Sequence, residues 1–161
     1  GAFVAHPSVK EAAEVFSARR LIEPKITELA TAHCETAGAA LLRDHLAQEK
    51  AAERAGDDRA AIRLSGEFHL VLARIAGHGI YENFLRELVA RSSLIILLYR
   101  RSRSQCCKVD HHAALVEAIT GGRGDEAVAQ MVSHLDEIER DLELVDTAIP
   151  IKPLSELLGA R

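Results

Sequence analysis

Residues 64–76 read LSGEFHLVLARIA, and the phase of this stretch decides how the chain folds. Leu64, Phe68, Val71, Leu72 and Ile75 recur at helical spacing and give one apolar face. Beside it runs a second stripe of Ser65, Gly66, His69, Ala73 and Ala76. The histidine therefore sits among the smallest side chains available. Small neighbours leave space beside an imidazole, so this helix is expected to have a structural face and a functional one.

The rest of the chain repeats the helical pattern. Ser8 is placed to cap a helix over about 8–34, with Glu11 completing a capping box. Pro24 lies inside it and predicts a kink or break. Further helices are expected over about 35–55, 58–76, 80–103, 106–120 and 124–145, most of them ended by glycine. Beyond Pro150 and Pro153, Leu154, Leu157 and Leu158 fit a short docked helix. No segment alternates with period two for long enough to be a strand. The fold class is all-α, an antiparallel bundle of about six to seven helices.

Composition bounds the function. The 161 residues are 48% hydrophobic and 27% charged, with 4% aromatic residues and no Trp. A core packed by aliphatic side chains follows. A net charge of −4 excludes a nucleic-acid footprint for this stretch alone. Cys34, Cys106 and Cys107 make a poor disulfide framework and suit the reducing cytoplasm. The longest apolar run, residues 94–99, is far short of a membrane span. The basic cluster Arg100, Arg101 and Arg103 complements the end of the fourth helix.

Of eight histidines, His6, His33, His45 and His78 fall at helix ends or on polar faces. Three others interrupt apolar stripes. His69 lies in the stripe above, His112 among Val109, Ala113, Val116 and Ile119, and His134 among Ala127, Met131 and Ile138. Each is on a different helix and aims inward. A lone inward histidine is usually a satisfied core residue, but three without partners would cost roughly 1–3 kcal/mol each. Few Asp or Glu share these stripes, and one divalent ion would satisfy all three rings, with open positions for an external donor. All-imidazole ligation favours Zn²⁺ or Ni²⁺. Arg19 interrupts Ala12, Val15, Ile22 and Ile26, with Glu23 one turn on as a possible ion-pair partner. Arg91 interrupts Phe84, Leu88, Ile95 and Leu98; it either snorkels to the surface or joins the metal in gripping a small carboxylate. The second is the expectation.

At these residues the sequence resembles the FadR-type C-terminal effector-binding domain (FCD) of GntR-family bacterial transcriptional regulators. The matching pieces are FSARRLIEP (16–24), FHLVLARIAGH (68–78), DHHAALVEAITGG (110–122) and GDEAVAQMVSHL (124–135). The resemblance implies a metal held by three histidines and an aspartate. The histidines carry over onto His69, His112 and His134, the three that periodicity selects. The aspartate position falls on Ser65, which could hold a metal-bound water. Glu67 cannot replace it, being about 200° round the helix from Ser65. Relatives usually carry an acidic residue before the second histidine; here it is His111. The resemblance also makes residues 1–7 the end of the wing, or linker, of a missing N-terminal winged helix-turn-helix domain, and residues 8–161 the effector domain.

The resulting expectation is a sensor and not an enzyme. A small organic acid or related metabolite would bind at the metal with Arg91, Arg19 and Ser65, and would alter the spacing of two DNA-binding domains in a homodimer. DNA would be touched only through the missing domain. Two other classes compete. A three-histidine hydrolase or transferase commonly pairs two ligands at i and i+4, which these three lack. In a metal-free interaction bundle the histidines would be core residues.

Overall fold

A computed structural model describes residues 7–101 and 109–144, which form six helices. They are α1 (Val9–His33), α2 (Thr36–Ala55), α3 (Asp58–Ala76), α4 (Gly79–Tyr99), α5 (Val109–Thr120) and α6 (Gly124–Arg140). Among the described residues there is no strand, only an isolated antiparallel bridge between Arg100 and Leu142. None of their helices is long and apolar enough to cross a membrane. The expected leucine tail, the first residues and the Cys106–Cys107 pair lie outside the described residues.

Local chemistry sets the helix ends. The Ser8 hydroxyl accepts from the Glu11 backbone N–H at 3.1 Å and starts α1. Asp57 does the same for Ala60 at the start of α3, at 3.0 Å. Gly77 ends α3 at φ +71°, a left-handed conformation that costs a glycine little. Pro24 does not end α1, which continues to His33. The helix interior should reject it, but the residues buried on either side, Arg19, Glu23, Ile26, Thr27 and Ala30, keep the following turns packed.

The bundle packs α1 against α3, α4 and α6, α3 against α2 and α4, and α5 against α2 and α6. The apolar core has two parts. One gathers Ile26, Ala30, Phe68, Leu72, Leu85, Val89, Leu115 and Leu135. The other gathers Ala12, Val15, Phe16, Ile62, Ile95, Ile96, Tyr99 and Ile138. On α1, α3, α4 and α6, the helices that feed both clusters, the sequence turns polar between them. Arg19 and Glu23 separate the clusters on α1, Ser65 and His69 on α3, Ser92 on α4 and His134 on α6, and all are buried. This polar layer holds the candidate site.

The small-residue stripe of α3 has two uses. A Cβ on Gly66 would stand 2.9 Å from Val89 Cγ1 and 3.1 Å from Ser93 Oγ, so this glycine lets α4 approach closely. Ala73 and Ala76 are buried in the first cluster. Most of the space expected beside His69 is thus filled by neighbouring helices.

Candidate metal centre

The polar layer brings His69, His112 and His134 together. Their candidate ligand nitrogens all lie within 4.8 Å of one another, and all three residues are buried. His112 Nε2 and His134 Nε2 are 3.0 Å apart. Two nitrogens sharing a tetrahedral ion at about 2.0–2.1 Å would stand roughly 3.3 Å apart, so this pair is already close to ligating geometry. His112 is held from the other side by Phe68, whose ring stacks on it at 4.0 Å between centroids. The phase of α3 places Phe68 under His112 and His69 beside it in one step.

Two buried carboxylates turn these rings. Glu49 on α2 accepts from His112 Nδ1, with both oxygens at 2.9 Å. Glu23 on α1 brings Oε2 to 2.5 Å from His69 Nδ1, an ion-pair contact that lacks hydrogen-bond alignment. Both rings therefore have Nδ1 engaged outward and Nε2 left to offer. The expectation that few acidic residues serve these histidines is corrected: the carboxylates come from other helices.

Electrostatics suits neutral imidazole ligands. Burial, only partly opposed by Glu23, pulls the His69 pKa down to about 4. Burial, followed by the His112 and His69 rings, holds His134 well below its ordinary value. Burial alone would raise Glu23, but Arg19 and His69 together outweigh it and hold the carboxyl at about 2. For Glu49, hydrogen bonds from His112 and His45 outweigh burial and lower the pKa. The layer thus offers neutral nitrogens beside ionised carboxylates, which is what a cation requires. Buried polar atoms without a hydrogen-bond partner concentrate here: Arg19 Nη2, Thr27 Oγ1 and His134 Nδ1, while Glu23 Oε2 and His69 Nδ1 meet only each other, out of hydrogen-bond alignment. Such orphans fit a missing ion or ligand.

Arg19 and Ser65 join the site. Arg19 is fully inside the bundle, pairs with Glu23 through Nε at 2.5 Å and donates to Ser92 Oγ at 3.0 Å. Arg19, Ser65, His69 and Ser92 line a cavity of about 10 Å³, enough for one water. Arg19 thus makes the ion pair with Glu23 and also faces this cavity.

Arg91 does not reach the site. Its side chain is 49% exposed and binds Glu11 at 2.7 Å and Glu87 at 2.8 Å. The expected stripe was one residue out of phase. α4 buries Leu85, Val89, Ser92, Ile95, Ile96 and Tyr99, while Phe84 is 58% exposed. The reason is that α4 is apolar nearly all round near its end, so periodicity does not fix its phase. Contact with Gly66 does, and it points Ser92 inward.

His45 is also corrected. It is buried, with Nε2 2.8 Å from the Leu64 carbonyl and 3.5 Å from Glu49. The spacing of Leu42, His45, Glu49 and Ala52 is a helical stripe that marks both missed residues. His111 lies nearer the surface, 3.2 Å from Glu137. A groove of about 440 Å³ between α3 and α4, lined by Ile62, Leu70, Val89 and Leu97 among others, holds none of the three histidines.

The sequence profile of the FCD domain matches residues 14–137. No curated protein matches the chain. Among solved structures, GntR of Streptococcus agalactiae superposes with a TM-score of 0.70 at 24% identity, over 80% of this chain and 58% of that one. McbR/YncC of E. coli superposes with a TM-score of 0.74 at 16% identity, over 83% and 68%. At these identities the likeness is one of fold. The chain spans a little over half the length of the streptococcal protein.

Proposed function

The chain belongs to the FCD domain family, and from that premise we propose that it is the ligand-sensing domain of a GntR-type bacterial transcription regulator. The effector is a small organic acid or related metabolite, taken up at a divalent ion, Zn²⁺ or Ni²⁺, held by His69, His112 and His134. The reading is carried by the convergence of three buried imidazoles, two of them backed by carboxylates, in a layer otherwise enclosed by apolar side chains. The ion supplies a Lewis-acidic anchor for a carboxylate oxygen. Arg19, with its unpartnered Nη2, offers the anion a fixed donor on the same cavity wall. Ser65 and Ser92 provide hydroxyls there.

The cavity size supports a switch. Space for one water cannot hold a carboxylate with its carbon chain, so an effector has to part α3 from α4 at the Gly66–Val89 contact. A ligand that binds only the parted arrangement shifts the packing by its differential affinity, typically ~1–3 kcal/mol. In the whole regulator, a cytoplasmic homodimer, that shift moves winged helix-turn-helix domains preceding this one. Sensing is favoured over catalysis because Glu23 is held by Arg19 and His69, and Glu49 by two imidazoles, leaving neither free as a general base.

Elemental analysis and a thermal-shift screen against small carboxylates, with and without chelator, test this reading. About one ion per chain and a carboxylate shift that chelator abolishes are expected. A protein without metal, or a shift indifferent to chelator, would remove the metal from the sensor.

A further inference from the structure

The site lacks a carboxylate among its ligands, since Ser65 stands one turn before His69. It does not lack carboxylates. Glu49 is buried on α2, a helix that carries none of the three histidines, and both of its oxygens are 2.9 Å from His112 Nδ1. Its other charged-group contact is His45 at 3.5 Å, and no Lys or Arg pairs with it among the described residues. A buried carboxylate whose partners are imidazoles, with no guanidinium or ammonium beside it, stands where added positive charge is favourable. Glu23 differs, because Arg19 at 2.5 Å already balances it.

We infer that Glu49, and to a lesser degree Glu23, are positioning residues for the metal, standing behind the ligands and supplying the negative charge that Ser65 does not. The inference rests on the metal reading above. Glu49 fixes His112 with its proton on Nδ1 and its lone pair on Nε2, toward His134. It also draws electron density into the ring, making the inner nitrogen a better donor. Glu23 lies 2.5 Å from His69 Nδ1 without hydrogen-bond alignment and acts on that ring through its charge. Its charge, shared with Arg19, adds less to the attraction for a cation. This gives an order: losing the charge of Glu49 weakens the ion more than losing that of Glu23.

Glu49→Gln keeps an acceptor for His112 Nδ1 and removes only the charge, so the metal-free fold should survive. Zn²⁺ affinity of the purified chain, by competition with a chromophoric chelator, should fall about 10- to 100-fold in Glu49→Gln, and by a smaller factor in Glu23→Gln. Glu53→Gln, exposed one turn further along α2, should match the wild type. With Co²⁺ as a spectroscopic probe, Glu49→Gln should shift the visible absorption bands, which a merely structural role would leave in place. Glu49→Asp, too short to meet His112 at 2.9 Å, gives a second reading if Glu49→Gln folds poorly, and should also bind more weakly. Wild-type affinity and spectrum in a folded Glu49 variant would overturn the positioning role alone. A wild type that binds neither ion would overturn the metal reading and this inference with it.

Discussion

Replacing His112 by alanine removes the most connected ring of the polar layer. It deletes the donor to both Glu49 oxygens at 2.9 Å, the neighbour of His134 Nε2 at 3.0 Å, and the ring stacked on Phe68. A buried hydrogen bond to a charged group contributes about 1.5–3 kcal/mol, and an aromatic stack adds roughly 0.5–1.5 kcal/mol beyond its buried area. Glu49 would remain buried with only His45, at 3.5 Å. Leaving a buried carboxylate without its donor costs about 3 kcal/mol or more, and a loss of that order is expected here. For a chain of this length that is a fall in Tm of roughly 10 °C. Urea unfolding of chelator-treated protein measures this part. Elemental mass spectrometry measures the other: His112→Ala should hold no stoichiometric metal. Adding Glu49→Gln to His112→Ala should recover stability, because an amide tolerates burial better than an unpaired carboxylate. A loss under about 1 kcal/mol, measured against that expectation, would refute the network. Full metal occupancy in the variant would refute the ligand assignment.

Ser65→Asp should bring a carboxylate onto the cavity shared with His69 and Arg19, tightening Zn²⁺ by roughly tenfold or more (~1.4 kcal/mol) and weakening carboxylate effectors; parallel titrations showing neither change would remove Ser65 from the site. Gly66→Ala places a Cβ 2.9 Å from Val89 Cγ1, so overpacking should outweigh the gain in helix propensity for a net loss of about 1–2 kcal/mol, and a stabilised variant in urea unfolding would show that α4 yields easily. Metal-free protein should lose stability as pH falls from about 6.5 toward 4, because the unfolded chain then binds a proton that buried His69 refuses, and His134 acts in the same direction. Protonation of Glu23, held at about 2 against 4.5, adds a further loss between those values, and a flat pH profile in calorimetry across both windows would contradict the burial of these groups.

The helices were legible because their ends carry local chemistry. Ser8 and Gly77 act within one turn, and the structure uses them as that chemistry dictates. The inward faces of α3, α5 and α6 were legible because each alternates apolar and polar residues clearly enough to fix a phase, which placed His69, His112 and His134 together. α4 has no such contrast near its end. Its orientation is decided by Gly66 on another helix, so Arg91 was read inward and Ser92 overlooked. Glu49 was missed for a different reason. Its stripe on α2 is visible, but a buried glutamate makes physical sense only beside an imidazole 63 positions away, and that pairing is tertiary.

The charges of the layer constrain what such a site accepts. Arg19 and Glu23 cancel, and burial holds His69 and His134 toward their neutral forms. Glu49, shared between His112 and His45, has no Arg or Lys partner among the described residues, and a divalent ion would bring more positive charge than this one carboxylate balances. Hydroxide or a single carboxylate would offset that excess in a layer sealed by two apolar clusters, where net charge is costly. A second carboxylate would have to find its own cation, and within the cavity lining the remaining one is Arg19, already committed to Glu23 through Nε and free only at Nη2. An aspartate at position 65 would cancel the surplus charge without any ligand. On the proposed reading, serine there would leave the surplus for an effector to neutralise.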